Sequence, residues 1–440
     1  MTGWRTVVFI VAACSVAAGA RAQEAPPRAP ATPPFIDRVD GLSLADAIGR
    51  ALASEPGLAM VRAQVDVATG LRMQAGLRPN PSVLFEQRAE PGGTDSQTML
   101  TAEWPLDLFR RAGRQAVADA EVGVAGHAIA DRERRLMADV RTRYGEVLVA
   151  VRDLEVLDRA IDAATRQRDL VAARVDQGTT PALERDMAQA DVLRLGADRQ
   201  IQVGRAEAAV FDLKRQLGMP ADAPLALRDT LEAITAIETG SVSPGAGEGP
   251  AMRPDVREAE ARVAMADAAL DKAARDGRTD MSLYGTYTRM DAGFPQLGFA
   301  PDGGVERVRG VFHYAAGGVR ILLPLANRNQ GTLAAARADR ARAEAARSAA
   351  LLSAEAETAA ALARDRRAQA ALQIYRAGLI DLARKNLSVV QQSYELGRST
   401  LLDVLGELRR YLEVERAYSD AMRLAYEART ARLLATGGGR

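Results

Sequence analysis

Two stretches of this sequence repeat the same spacing of helix-breaking landmarks, and this spacing limits the possible folds more than any other feature. The landmarks are pairs of residues 219 positions apart: Pro105 and Pro324, Gly178 and Gly397, and Gly218 and Gly437. No proline occurs between residues 106 and 177, so these roughly 70 residues can form a rod about 100 Å long. Helices of globular domains average three or four turns. The spacing therefore predicts two long antiparallel helical hairpins, each folded back at a glycine, that span a gap.

A pair of short strands precedes each predicted hairpin. Alternating patterns predict strands at about 82–88 and 97–104, and again at about 281–289 and 312–323. These lengths suit tilted strands that cross a membrane. The offset between the halves is 198 at Pro56 and Pro254 but 219 after the strands, so the second pair holds 21 more residues. We expect the extra residues to form a Gly/Pro/Asp-rich loop that ends at Gly304.

The predicted fold class is mainly α with a small β part. A first repeat covers 42–239, with its hairpin at 106–218, and a Gly/Pro linker covers 240–252. A second repeat covers 253–437, with its hairpin at 325–436, and a tail covers 438–440. Four strands cannot close a barrel, and an open sheet edge is not viable in lipid. We therefore expect three chains to pool twelve strands into a β-barrel that stands on an α-helical barrel.

The first residues have the pattern of a secretory signal. Arg5 supplies the charge, an apolar run follows, and residues 20–22 form a small-residue cleavage site, which predicts a signal peptide at 1–22. The alternative is a lipoprotein signal with Cys14 as the lipidated residue, although the apolar run before it is short. Cys14 is the only cysteine of the sequence, so the mature chain is expected to lack disulfides. Residues 23–41 are Pro/Ala-rich and predict a mobile lead.

Composition and motifs argue against several classes of function. The net charge of +1 disfavours a nucleic-acid partner, since phosphate binders carry a basic excess. The sequence holds no phosphate-binding glycine loop, nucleophile elbow or paired metal-ligand motif. His127 and His313 are the only histidines, and neither has a second ligand at helical spacing. We therefore expect no enzyme activity, no cofactor and no metal-binding site.

At each hairpin tip a glycine is followed by a leucine–acid pair, Leu183-Glu184 in the first repeat and Leu402-Asp403 in the second. Together with the repeat of helix, strand pair and long hairpin, this resembles the TolC-type outer-membrane factors over almost the whole mature chain. The segments 323–331 (LPLANRNQG) and 253–256 (RPDV) are most similar to the CzcC-type subgroup of heavy-metal cation efflux.

The resemblance implies a homotrimer, with its β-barrel in outer-membrane lipid and its helical tunnel in the periplasm. It also implies a periplasmic adaptor protein and an inner-membrane RND pump as partners, with passive conduction of heavy-metal cations to the exterior. Two alternatives stay open at this point. One is a similar duct for drugs or type I protein secretion. The other, from a different class, is a periplasmic coiled-coil adaptor or scaffold.

The resemblance also implies roles for the hairpin tips. Three copies of Glu184 and Asp403 would ring the periplasmic aperture and favour cations, and Arg185 and Arg398 could pair with these acids to hold it closed. The adaptor would dock on both tips, whose residues are Gly178, Thr179, Thr180, Leu183, Gly397, Arg398, Ser399, Thr400 and Leu402. The alternative interpretation is plain turn and capping chemistry, with solvated acids near a helix start.

A third set of residues lies where barrel and tunnel would meet. Pro105 and Pro324 mark this bend, and Asn327, Arg328 and Asn329 open the second long helix, where we expect them to satisfy leftover backbone groups. The aromatic residues of the second strand pair predict a girdle at the membrane surface, or are ordinary strand formers. They are Tyr284, Tyr287, Phe312 and Tyr314.

Overall fold

The computed structural model describes residues 35–437 except 92, 94 and 237–248. The predicted class is confirmed, because long helices carry one small antiparallel sheet. The helices in chain order are α1 (Leu44–Ser54), α2 (Pro56–Ala75), α3 (Arg110–Asp176), α4 (Ala182–Gln216), α5 (Leu231–Ala236), α6 (Pro254–Asp276), α7 (Gln330–Ile374), α8 (Ile380–Glu395) and α9 (Leu401–Thr436). The strands are β1 (Ser82–Ala89), β2 (Ser96–Pro105), β3 (Asp280–Phe299) and β4 (Val305–Leu322).

The sequence repeat appears as a repeat of helix packing. Helix α3 has 67 residues, which at 1.5 Å per residue gives a rod about 100 Å long. Helix α2 packs against α3 on the side of the strands, and α4 packs against it on the side of the tip. In the second repeat α6 and α9 flank α7 in the same way, and α3 also contacts both of them. The two hairpins are thereby joined side by side.

The landmark glycines end their helices in one common way. Gly178 and Gly397 have φ values of +72° and +71°, and Gly218 and Gly437 have +62° and +75°. At both tips the glycine N–H and the next N–H bond back to the helix, as in a Schellman motif. Residues with a Cβ rarely adopt this conformation, which explains why glycine stands at each landmark.

The second rod is interrupted, unlike the first. One turn of π-helix, Tyr375–Leu379, separates α7 from α8, and Gly378 within it has φ +136°. The sequence did not predict this turn, because one glycine inside a helical pattern is compatible with a continuous helix. Because glycine has no Cβ, it can adopt a backbone conformation that an α-helix does not contain. Together with this turn, α7 and α8 cover residues 330–395, close to the 67 residues of α3, so the two rods have nearly equal lengths although the second is interrupted.

The second strand pair is longer than the sequence predicted. β3 continues to Phe299 and β4 begins at Val305, so the expected loop before Gly304 is a paired extension with a tight turn. The register shifts between Gly293 and Leu297, and Pro295 lies in this irregular segment. A bulge of this kind absorbs a proline, which cannot donate a ladder hydrogen bond, and pairing resumes beyond it.

The main core lies where the hairpins meet the N-terminal segment. Phe35 is 8% exposed, its carbonyl accepts from Leu227 N–H at 2.9 Å, and Ile36 forms a parallel bridge to Leu227. The segment from Phe35 to Gly41 was predicted to belong to the mobile lead, but burial of Phe35 and its hydrogen bond to Leu227 anchor it. Tyr144 of α3 connects these segments, because its hydroxyl donates to Asp229 Oδ2 at 2.7 Å and lies 2.9 Å from Leu42 O.

Several predicted segments lie outside the described residues: the signal peptide with Cys14, most of the lead, residues 240–248 of the linker and the tail 438–440. The end of the linker is described, and Pro250–Met252 forms a short 3₁₀ turn before α6. Among the described helices, none combines the length and the apolarity that a membrane-crossing helix needs.

Close packing of the two repeats predicts a large effect of one methyl group. A Cβ added at Gly145 of α3 would lie 2.4 Å from Cε1 of Tyr426 in α9. We expect Gly145→Ala to lower the free energy of unfolding by about 1–3 kcal/mol through overpacking, measured by denaturant titration in detergent. Gly123→Ala in the same helix is the control. Its Cβ meets nothing within 4 Å, so it should stabilise by about 0.5–1 kcal/mol. Equal behaviour of both variants would contradict the observed packing.

Candidate functional site

One face of the sheet is apolar and exposed. The four strands are ordered β1-β2-β3-β4, so β1 and β4 have open edges within one chain. Register places one set of large exposed side chains on a common face. They are Val83, Phe85, Leu100, Trp104, Leu283, Tyr287, Val311, Val319 and Ile321. A face of this composition suits hydrocarbon better than water.

The opposite face of the sheet is largely polar near the helices. Glu103 accepts from the Ser282 hydroxyl at 2.6 Å and also pairs with Arg320 across β3. Thr101 and Thr286 share a hydrogen bond of 3.0 Å. The sheet thus has one apolar and one polar surface, the alternation expected of a strand between lipid and a water-filled lumen.

The register does not support the predicted aromatic girdle. Tyr287 is on the apolar face, where its hydroxyl lies 2.6 Å from Nδ1 of His313. Tyr284, Phe312 and Tyr314 occupy alternate positions and project on the polar face. A girdle requires all its members on the lipid side. The prediction is therefore wrong for three of its four residues. Tyr284 and Tyr287 are three residues apart on β3, so strand alternation places them on opposite faces, and Phe312 and Tyr314 pair with Met290 and Thr288 on the face of Tyr284.

At the predicted bend, polar side chains form hydrogen bonds with backbone groups. Asn329 begins α7 with φ +62°, and its side chain donates to Ala273 O at 2.8 Å. Asn327 Oδ1 accepts from Asn329 N–H at 3.0 Å, and Arg328 Nε donates to Leu325 O at 3.3 Å. Pro105 is the last residue of β2, paired with Ser282, and Pro324 follows the end of β4. These contacts hold the sheet on the helices.

The two hairpin tips lie side by side in one chain. A small apolar cluster of Val171, Ala188, Tyr394, Leu401, Val404 and Leu405 draws on α3, α4, α8 and α9. Beyond it the turns are closed by side chains. Thr179 Oγ1 donates to Arg174 O at 2.9 Å, and Ser399 Oγ donates to Val390 O at 3.3 Å. The sequence-predicted tip residues are thus brought together by the fold.

The two predicted aperture acids have different surroundings. Asp403 forms a capping box with Thr400: its carboxylate accepts from Thr400 N–H at 2.8 Å, and Thr400 Oγ1 accepts from Asp403 N–H. The Thr400 hydroxyl, and then the Thr400 N–H, hold the pKa of Asp403 below its ordinary value, so it stays ionised at neutral pH. Glu184 lies in the first turn of α4 and accepts from the Tyr394 hydroxyl at 3.4 Å.

A contact that the sequence analysis missed links the two tips. Arg174 of α3 donates to the carbonyls of Tyr394 and Glu395 at 3.2 and 2.8 Å, at the end of α8. Its guanidinium lies 4.6 Å from the centre of the Tyr394 ring, and the Tyr394 hydroxyl reaches Glu184. We call Arg174, Tyr394 and Glu184 the tip latch. No sequence signal marks Arg174 or Tyr394, because their positions are 220 residues apart.

The predicted pairing of Arg185 and Arg398 with the acids does not occur within one chain. In the described residues, the ion pair of Arg185 is with its neighbour Asp186 at 3.8 Å, and no ion pair joins Arg398 to Glu184 or Asp403. Asp403 already serves its own helix start, and Glu184 faces Tyr394. Within one chain, the tip latch instead supplies the contact between the two tips.

Each tip also presents an apolar side chain to solvent. Leu183 and Leu402 stand at equivalent positions of the two repeats and are 68% and 64% exposed.

The part of the chain that the structure describes contains no cluster of three or more His, Cys, Asp or Glu residues with the geometry to hold a metal ion.

Comparison with known proteins addresses the fold. The sequence model of the outer membrane efflux protein family matches residues 47–211. Among solved structures, this chain is similar to CusC, which forms a transmembrane channel. The two chains superpose with a TM-score of 0.72 at 18% sequence identity, and the match covers 92% of this chain and 94% of CusC. The chain has the TolC-type fold. VceC of Vibrio cholerae, an outer membrane protein, has a TM-score of 0.71 and 20% identity, with coverage of 90% and 96%.

A third structure with the TolC-type fold is the open state of the MtrE outer membrane channel of Neisseria gonorrhoeae. Its TM-score is 0.70 at 19% identity, and the match covers 90% of this chain and 89% of MtrE. No curated protein sequence matches the chain.

Proposed function

We propose that three copies of this chain form the outer-membrane channel of a tripartite efflux system. The β-sheet of each copy contributes four strands to one barrel, and the hairpins continue as a tunnel through the periplasm. The channel conducts passively, and a periplasmic adaptor and an inner-membrane RND pump supply selection and energy. The outer membrane efflux match and the TolC-type fold support this proposal.

The observation that carries the proposal is the two-faced sheet with open edges. An exposed apolar face is costly in water, and open edges are costly in lipid, so neither solvent suits a single chain. Pairing β4 of one copy with β1 of the next closes both edges and leaves the apolar face to lipid. The exposure of helix α7 also supports assembly with other copies. The helix exposes Leu352 and buries little of its length in one chain.

The channel hypothesis is tested with purified full-length protein. We expect it in the outer-membrane fraction, as a trimer that dissociates on heating in detergent, and we expect ion conductance in planar bilayers. A monomer that stays soluble without detergent would overturn the proposal. This outcome would favour the periplasmic scaffold as the function of the chain.

We infer that the cargo is heavy-metal cations. The segments 323–331 and 253–256 support this, and so do Glu184 and Asp403, which would place six carboxylates near the aperture of a trimer. Deleting the gene should sensitise cells to divalent or monovalent metal ions, and the full-length gene should restore resistance. Unchanged metal sensitivity combined with a drug or peptide-export phenotype would reject metal cargo and keep the channel.

We propose that the tip latch keeps the aperture closed, and that an adaptor docked on Leu183 and Leu402 releases it. Arg174→Gln removes the guanidinium that bonds the end of α8. If each chain loses about 1 kcal/mol and three chains open together, the open-to-closed ratio should rise about 100-fold. Single-channel recordings measure this ratio.

Arg185→Gln is the matched control for the latch, because it removes the same charge from the same tip. Its partner within the chain is the exposed neighbour Asp186, so we expect the open-to-closed ratio to stay at the wild-type value. If Arg185→Gln opens the channel and Arg174→Gln does not, the closing contact involves Arg185 in the trimer, and the tip latch is rejected.

A further inference from the structure

Three arginines stand on the sheet at the end of the apolar face. Register places Arg289 of β3 and Arg307 and Arg309 of β4 on the same face as Leu100, Tyr287 and Val319. All three are exposed. We call them the basic belt. His313 lies directly opposite Arg289. Two acids share this part of the face: Asp291, opposite Val311, and Asp95, whose carboxylate accepts from Gly293 N–H at 2.9 Å opposite Arg309.

The belt lies at the end of the sheet that is remote from the helices. Ile321 stands near the helical end of the apolar face, and twelve residues separate it from Arg309. At about 3.3 Å per residue this is about 40 Å along the strand, or about 30 Å along the membrane normal for a strand tilted by 40°. Arg289, level with His313, lies about 20 Å from Ile321 on the same scale.

The height of Arg309 coincides with a membrane surface. The lipid-facing band of an outer-membrane barrel is about 25 Å tall, and a hydrocarbon core is about 30 Å thick. Arg309 therefore lies where hydrocarbon gives way to headgroups, and Arg307 lies beyond it. Arg289 lies within the upper part of the apolar band, from which a long arginine side chain can extend to the headgroups. The exposed tip residues Leu297 and Phe299 lie further out, beyond the reach of the hydrocarbon.

We propose that the basic belt binds the phosphate groups of anionic lipids in the leaflet at the outer rim of the channel. Guanidinium groups form bidentate hydrogen bonds with phosphate. Arg307 and Arg309 are two residues apart on one strand, which separates them by about 7 Å. This spacing suits a headgroup with more than one phosphate. The proposal rests on the membrane location given under the proposed function.

The belt explains why the second strand pair is longer than the first. The pairing of β2 with β3 ends at Ser96 and Asp291, whereas β3 and β4 continue together to Phe299 and Val305. Arg307 and Arg309 belong to this extension. The extra residues of the second repeat thus place these two arginines at the level of the headgroups. Strand pairing fixes their distance from the membrane centre, which an irregular surface loop would not do.

The test measures binding of lipid A, which carries two phosphates, to the detergent-solubilised full-length protein by native mass spectrometry. The variant Arg289→Gln/Arg307→Gln/Arg309→Gln removes the belt. At about fivefold per arginine near an anionic surface, we expect its affinity for lipid A to fall about 100-fold. Monophosphoryl lipid A should bind the wild-type protein several-fold more weakly than lipid A, and millimolar inorganic phosphate should not displace either lipid.

Arg342→Gln/Arg384→Gln/Arg410→Gln is the matched control. It removes three exposed arginines of α7, α8 and α9 that pair within their own helices, and we expect wild-type lipid binding. Equal lipid A binding by the belt variant and the wild type would overturn the proposal. So would displacement of the lipid by inorganic phosphate alone, which would assign the belt to free phosphate.

Conductance separates this inference from the function on which it rests. In planar bilayers of zwitterionic phosphatidylcholine the belt variant should conduct as the wild type does. If both conduct and both bind lipid A equally, the basic belt has no lipid role and the channel proposal stands. If the wild type neither conducts nor fractionates with outer membranes, the channel proposal fails, and the belt proposal fails with it.

Discussion

Arg152→Met should destabilise the protein by about 3–5 kcal/mol, because it leaves a carboxylate buried without its partner. The side chains of Arg152 and Glu415 are 7% and 2% exposed, and their ion pair measures 2.9 Å. Arg152 also pairs with Glu232 at 2.7 Å, donates to Ser419 and lies 4.9 Å from the Tyr418 ring centre. The guanidinium thus joins α3, α5 and α9.

The network also decides the protonation of Arg152. Burial acts to lower its pKa, but hydrogen bonds and charges from Glu232 and Glu415 outweigh burial and raise the pKa above its ordinary value. Arg152 therefore stays charged throughout the physiological range. In the wild-type protein the arginine side of this ion pair is therefore unaffected by pH within that range.

The measurement is the free energy of unfolding in detergent, from a denaturant titration of the full-length protein. The double variant Arg152→Met/Glu415→Met tests the cause. Replacing both members of a buried pair by apolar residues is often neutral, so most of the lost stability should return. A single variant that loses less than about 1 kcal/mol, or a double variant as unstable as the single, would show that the pair is solvated.

The features that the sequence predicts well are those encoded by neighbouring residues. Gly178 and Gly397 mark the tips because a left-handed backbone favours glycine, and this is a local property. Strand alternation at Val83 and Phe85 likewise follows from local side-chain order. Asn329 begins α7 at the predicted bend for the same reason, since asparagine tolerates a positive φ.

The features that the sequence failed to predict depend on contacts between distant residues. Arg152 and Glu415 are 263 positions apart, and the partners of the tip latch come from different repeats. Phe35 is ordered because of Leu227, which no local pattern indicates. Within the second repeat, Gly378 is one glycine in an otherwise helical pattern, and Pro295 is absorbed by a bulge instead of ending the strand.

The second large effect is expected at the lipid-facing side of the sheet. Leu100 lies on the apolar face between Phe85 and Tyr287, about midway between Ile321 and Arg309 in height. An arginine at the midplane of a barrel costs about 2–4 kcal/mol, so Leu100→Arg should cost a trimer about three times as much. We expect almost complete loss of heat-modifiable trimers from the outer-membrane fraction, measured by immunoblotting of unheated and heated samples.

Met99→Arg is the matched control, because it makes a comparable change at the adjacent residue. Met99 is on the polar face, with Glu86 and Thr288 opposite it on the flanking strands. A charge there faces the lumen and the Glu86 carboxylate, so trimers should form at close to the wild-type level. If the sheet stood in water, as in a periplasmic scaffold, both arginines would be solvated and neither variant would lose assembly. If Met99→Arg blocks assembly and Leu100→Arg does not, the two faces of the sheet are assigned the wrong way round.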